Sequence, residues 1–144
     1  MRRAEIVAAA RGWIGTPYAH QGSLRQVGCD CLGLLRGVWR EVVGPEPEAP
    51  PPYRRDWAEA GREVLLDTAR RHLVPADESF APGDVLLFRW RAHLPAKHCA
   101  IIGQGEPRIT IIHAHDGVAV AEVALAPFWT RQIAGHFRFP GLEA

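Results

Sequence analysis

Val27-Gly28-Cys29-Asp30-Cys31-Leu32-Gly33-Leu34-Leu35 is a run of small residues that passes straight into an amphipathic segment, and its reading decides the fold. Beyond it, Leu34, Leu35, Val38, Trp39 and Val42 recur at three- and four-residue spacing while Arg36, Arg40 and Glu41 fall elsewhere, the period of a helix with one buried face. Asp30 stands where an N-cap belongs, with a side-chain oxygen able to accept a first-turn N–H. Cys31 then opens the helix one turn ahead of Leu34 and Leu35, on the side facing the protein. Unpaired N–H groups and the positive end of the helix dipole stabilise a thiolate there, lowering its pKa from about 8.5 toward neutrality.

Upstream, a helix is expected over Arg3–Ile14, with Ile6, Ala10, Trp13 and Ile14 on one face; Gly15-Thr16-Pro17 stops it, and Tyr18–Gly28 reads as loop. Downstream, Gly44-Pro45-Glu46-Pro47-Glu48-Ala49-Pro50-Pro51-Pro52 excludes helix and central strand, so residues 44–55 are expected to run extended as a surface crossover. Neither flank is long enough to stand as its own domain, which makes residues 1–144 one domain. A second helix is expected over Asp56–Leu73, with Trp57, Gly61, Val64, Leu65, Thr68 and His72 in a stripe. From Ala81 the period becomes two: the turn Pro82-Gly83-Asp84 opens a strand Val85–Trp90, followed by Lys97–Gly103, Arg108–Ala114, Val118–Val123 and Ile133–Phe139. Helices first and strands second predict an α+β fold, with N-terminal helices on a mainly antiparallel sheet of about five to six strands.

The 17 Lys+Arg against 16 Asp+Glu leave a net charge of +1, which offers nucleic acid or an anionic membrane no electrostatic handle; a neutral or mixed-charge substrate fits better. No apolar run approaches a membrane span, and Arg11-Gly12 interrupts the N-terminal apolar run before a secretion signal is complete. Three cysteines cannot all pair internally, and Cys29 and Cys31 are too close for an easy bridge, so at least one thiol is free.

A thiolate nucleophile needs a base and a group that orients the base. Seven histidines compete. If Gly103–Arg108 is a hairpin loop, Ile102 stands opposite Ile109 and His98 opposite His113, on one sheet face. His115 shares that face and is the main competitor, whereas His20, His72, His93 and His136 read as loop, surface or structural residues. Cys99 alternates away from His98 into the core, and Cys29 lies just outside the helix as a structural thiol.

These residues resemble a known family. Gly28-Cys29-Asp30-Cys31-Leu32-Gly33-Leu34 is similar to the D-C-[ST]-G-L motif of the NlpC-type cysteine peptidases. Ala81-Pro82-Gly83-Asp84-Val85-Leu86-Leu87-Phe88 resembles their P-G-D strand, His98-Cys99-Ala100-Ile101-Ile102-Gly103 their H-[VC]-[GA]-I strand, Ile112-His113-Ala114 the strand of the third catalytic residue, and Gly15-Thr16-Pro17-Tyr18 their G-T-P-Y segment. The resemblance runs in the family's order from about Ile6 to Val123 and departs from it at Leu32, where Ser or Thr is usual. It implies a papain-like fold and hydrolysis of amide bonds in peptidoglycan stem peptides, typically after a γ-linked D-glutamate, without metal or cofactor. It implies Cys31 as nucleophile, His98 as base and then acid, and His113 as the orienting residue. Tyr18 and Asp30, with backbone N–H groups near Cys31, are implied on the substrate-binding and oxyanion side. The Pro-rich insertion and missing signal look more like short forms encoded with phage tails and gene transfer agents. Such an enzyme is made in the cytoplasm, travels with phage-tail-like partner proteins and acts at the wall. Two other classes stand beside this reading: an inactive structural tail component or wall-binding module of the same fold, and a zinc protein drawing on Cys29, Cys31, His98, Cys99 and His113.

Overall fold

A computed structural model describes residues 1–49, 63–77 and 79–143. Helix α1 (Arg3–Arg11) buries Ile6 and Ala10 and leads into turns that bury Trp13 and leave Ile14 exposed, so the expected helix ends three residues early. The segment expected as loop contains a two-residue hairpin, β1 (Ser23–Leu24) against β2 (Gly28–Cys29), too short to carry any periodicity. Helix α2 (Cys31–Val42) follows, as the apolar spacing predicts, with Leu34 and Val38 fully buried and Leu35, Trp39 and Val42 packed at the edge of the core. Two glycines permit its close packing. A Cβ at Gly37 would overlap the Trp13 ring, and one at Gly33 would overlap the Gly22 carbonyl, so α2 lies tight against both the α1 turn and the hairpin.

Residues 44–49, the described part of the Pro-rich stretch, are exposed or half-buried. Trp39 Nε1 donates to the Pro45 carbonyl, Glu46 accepts from Arg36 and Arg40, and Glu48 meets Arg71 and His72 at 2.8 and 2.6 Å. The rest of that stretch, residues 50–55, lies outside the described residues, as do Trp57 and Gly61 of the expected second helix. What is described of that helix is α3 (Val64–His72), whose Leu65, Leu66 and Ala69 are buried.

After a short β3 (Val74–Pro75) come β4 (Val85–Phe88), β5 (His98–Ile102), β6 (Thr110–His113), β7 (Ala121–Ala124), a one-turn helix α4 (Pro127–Thr130) and β8 (Ile133–Arg138). Neither β3 nor α4 is expected from the sequence pattern. The six strands form one antiparallel sheet in the order β3-β8-β4-β5-β6-β7. Its central strands are buried on both faces, so they read as continuous apolar runs. Val85, Leu87, Cys99, Ile101 and Ile112 face the helices, while Leu86, Phe88, Ala100, Ile102 and Ile111 pack with Trp129 on the opposite side. Asp84, 2% exposed, ties the parts together: it accepts from Arg3 of α1 at 2.6 Å and from the Ala81 N–H, and lies 2.7 Å from His136 of β8.

The β5–β6 register differs from the expected one by two residues, with Ile102 opposite Ile111 and Ile101 opposite Ile112. Pro107 has no N–H to give the ladder, and Thr110 closes the loop instead. Its N–H donates to the Gln104 carbonyl, its carbonyl accepts from Gly103 N–H, and its hydroxyl accepts from Gln104 N–H. Continued, this register sets His115 level with His98 and makes His113 the diagonal neighbour. A shift of two preserves the face, so all three rings stay on one side of the sheet. No described helix is long and apolar enough to cross a membrane.

Candidate active site

Three layers of local structure place Cys31. The chain arrives through Tyr18, bridged to Cys29, with Ala19 N–H donating to the Cys29 carbonyl and Cys29 N–H to the Pro17 carbonyl, both at 3.0 Å. Asp30, 3% exposed, caps the helix: one carboxylate oxygen accepts from Gly33 N–H at 2.7 Å and the other from Gln21 N–H at 2.8 Å. The second bond holds Gln21 in a left-handed conformation (φ 62°) that a side chain of this size rarely adopts. Ser23 Oγ donates to the Gly33 carbonyl at 2.7 Å and completes the clasp. Asp30 thus holds the loop and the first turn of α2 together. Both Asp30 oxygens are taken up as acceptors, so any donors to a bound group on this side are N–H groups of the helix start.

The cysteines part company at this turn. All three are free thiols. Cys29 is fully buried, and burial first, then the neighbouring Asp30, pushes its pKa up to about 12, so it stays a protonated core residue. Cys31 is half-buried, and its Sγ points to the Lys97 carbonyl at 3.9 Å, a long contact at the entrance of β5. Its thiol is held well below the usual range, first by a hydrogen bond from Cys99 and then by His98, through both a hydrogen bond and charge.

On the sheet, His98 Nε2 and His113 Nδ1 are 2.7 Å apart, and both rings are buried. The structure therefore brings Cys31, His98 and His113 together. Burial, followed by the proximity of His98 and His115, lowers His113 from 6.5 to about 3, so it is neutral at any ordinary pH. His115, half-buried, has its ring 5.7 Å from that of His98 and stacked on His113, and its pKa is lowered by burial and then by His98. Aromatic rings complete the enclosure: Trp90 and Trp129 lie 5.6 and 5.5 Å from His98 in stacked orientation, and Trp129 meets His113 edge-on at 5.0 Å. From the sequence, the aromatic cluster Phe128-Trp129 reads as core or rim residues, with a glycan-binding face as the alternative. The missed signal is Pro127 at the start of a one-turn helix just before β8, which turns Trp129 onto the histidines. Of the other histidines, His72 and His136 pair with Glu48 and Asp84, as structural residues do.

A cleft of about 260 Å³ opens over these groups, lined by Tyr18, Cys31, Trp90, Lys97, His98 and His115 among others, so the thiol and His98 face one solvent-accessible space. Among the described residues, no group of three His, Cys, Asp or Glu side chains is arranged to hold a metal ion.

This fold recurs in solved structures. An NlpC/P60 family protein from Bacillus cereus superposes with a TM-score of 0.68 at 19% identity, covering 96% of this chain and 40% of its own. The fold is that of the NlpC/P60 domains. The NlpC/p60 domain of the peptidoglycan hydrolase SagA matches over its entire length and 96% of this chain, with a TM-score of 0.62 and 24% identity. Among curated proteins, the gamma-DL-glutamyl hydrolase of Bacillus subtilis is 26% identical over 137 residues, 95% of this chain. The chain spans 29% of that relative's length, less than a third. No protein-family model matches the sequence.

Proposed function

We propose that this NlpC/P60-like chain is a cysteine endopeptidase or amidase that hydrolyses amide bonds in peptidoglycan stem peptides. The observation that carries this reading is the 2.7 Å His98–His113 bond, buried beside a thiol at a helix start and opening on one cleft. The likeness in sequence to a γ-glutamyl hydrolase supports an amide on the γ-carboxyl of glutamate as the scissile bond.

In this mechanism His98 takes the Cys31 proton. With Nε2 engaged by His113, Nδ1 is the ring nitrogen left for the thiol. Once His98 is an imidazolium both its nitrogens donate, so His113 Nδ1 has to accept, and a ring that stays neutral down to about pH 3 can do so. The Cys31 thiolate attacks the carbonyl carbon, forming a C–S bond. The oxyanion is met by first-turn N–H groups of α2 and by Tyr18. Collapse breaks the C–N bond, and His98 returns its proton to the leaving amine. Water, deprotonated by His98, then cleaves the thioester and frees the acid. Asp30 and Gln21 hold the loop so that Tyr18 stays over the cleft.

The finer reading, an enzyme carried on a phage-like tail to the wall, rests on the sequence resemblance to short tail-encoded forms; adjacent tail genes in the genome would support it, and an isolated gene would count against it. The activity itself is tested with purified muropeptides: the wild-type chain should release cleaved stem peptide, and Cys31→Ala should release none while keeping its circular dichroism. Hydrolysis retained in Cys31→Ala would overturn the mechanism.

A further inference from the structure

Cys99 has no part in the steps above, yet it is the side chain most closely engaged with the nucleophile. It is 1% exposed on β5, paired across the ladder with Leu87 and facing the helices. Its Sγ–H donates to the Cys31 carbonyl at 3.3 Å. Three consecutive residues therefore surround Cys31: the Lys97 carbonyl meets its sulfur at 3.9 Å, His98 lines the same cleft, and Cys99 bonds the backbone. Unlike valine or alanine, which would fill a buried β position equally well, a thiol also offers a donor.

We propose that Cys99 is a positioning residue for the reactive thiolate, its S–H tying the first turn of α2 to the strand that carries the base. The proposal rests on the reading of Cys31 as nucleophile. Two facts suit the role. The Cys99 S–H lies on the Cys31 backbone carbonyl at 3.3 Å, and Cys99 acts with His98 to lower the Cys31 thiol. Cys99 itself is pushed well above the ordinary range by Cys31 and by burial, so it keeps its proton while its neighbour ionises. The remaining titratable groups divide by sign: Asp30 raises Cys31 and His98 lowers it, His115 is close enough to feel its charge, and Cys29 on the same segment stays neutral. Lys97, His20 and Asp116 line the cleft.

The test is the rate of iodoacetamide alkylation at Cys31, located by fragment mass spectrometry, between about pH 4 and about pH 9 in the wild type, Cys99→Ala, Cys99→Val and Cys99→Ser. Loss of the tie that holds Cys31 against the strand of His98 should raise the midpoint in the Ala and Val variants by about one pH unit and slow alkylation below it about tenfold. Cys99→Ser keeps a donor and should hold the midpoint near wild type. Should the cavity left by Ala unfold the chain, Val, which fills it, decides. A low wild-type midpoint unmoved in the Val variant overturns the proposal and leaves Cys99 a core filler. A wild-type midpoint at the ordinary thiol value overturns instead the reading of Cys31 as nucleophile, and needs no substrate to do so.

Discussion

The helix side and the sheet side of the cleft treat charge in opposite ways. At the start of α2, donors converge on Cys31 and favour its ionised form. A few ångströms away, burial among Trp129, His98 and His115 keeps His113 uncharged down to about pH 3. The two are complementary. A thiolate–imidazolium pair needs one member that accepts negative charge and another that accepts a proton, and the ring behind the base has to stay neutral to receive its hydrogen bond. Cys29 and Cys31 make the same point over two residues: one lies in the core with a pKa of about 12, the other at a helix terminus with a depressed one.

Breaking either side should show which half does what. Removing the charged half has the largest effect: Cys31→Ala or His98→Ala should reduce muropeptide hydrolysis to background, measured as kcat/KM. His113→Ala should lower kcat about a hundredfold, since the base loses its orienting acceptor, while His113→Asn keeps an acceptor and retains more activity. Next comes a pH effect. The folded His113 takes a proton only near pH 3 against 6.5 when free, so the unfolded chain binds more protons between those values. Stability should therefore fall as pH is lowered from about 6.5 toward 3, and the Tm loss between about pH 7 and about pH 4 should be smaller in His113→Asn. Opening the aromatic wall with Trp129→Ala should let water reach the histidines, raise the His113 pKa seen by NMR titration, and cost about threefold to tenfold in kcat. The smallest effect belongs to the cap: Asp30→Ala should lose about 1–2 kcal/mol of stability in denaturant unfolding, with Asp30→Asn losing less.

Long elements with a clear period were legible from residues alone. The apolar spacing from Leu34 to Val42 and the cap at Asp30 gave α2 its start and its buried face, and alternation put His98 and His113 on one side of the sheet. What escaped was short or set by distant contacts. The β1–β2 hairpin and β3 are two residues each, and α4 is a single turn, so none presents a pattern. The β5–β6 register depends on Thr110 reaching back to Gly103 and Gln104, which loop length does not reveal. Cys99 was rightly placed in the core, but its bond to Cys31 depends on how α2 lies over β5, and Trp129 reaches the histidines only through the turn that Pro127 opens.

The most direct measurement compares Cys31 with Cys29 in one chain: site-resolved alkylation of the native protein at about pH 6. The expected result is rapid modification of Cys31, with Cys29 and Cys99 left intact until the protein is unfolded. Equal, slow modification of all three thiols would contradict a poised thiolate at the start of α2, and with it the division of charge between the two sides of the cleft.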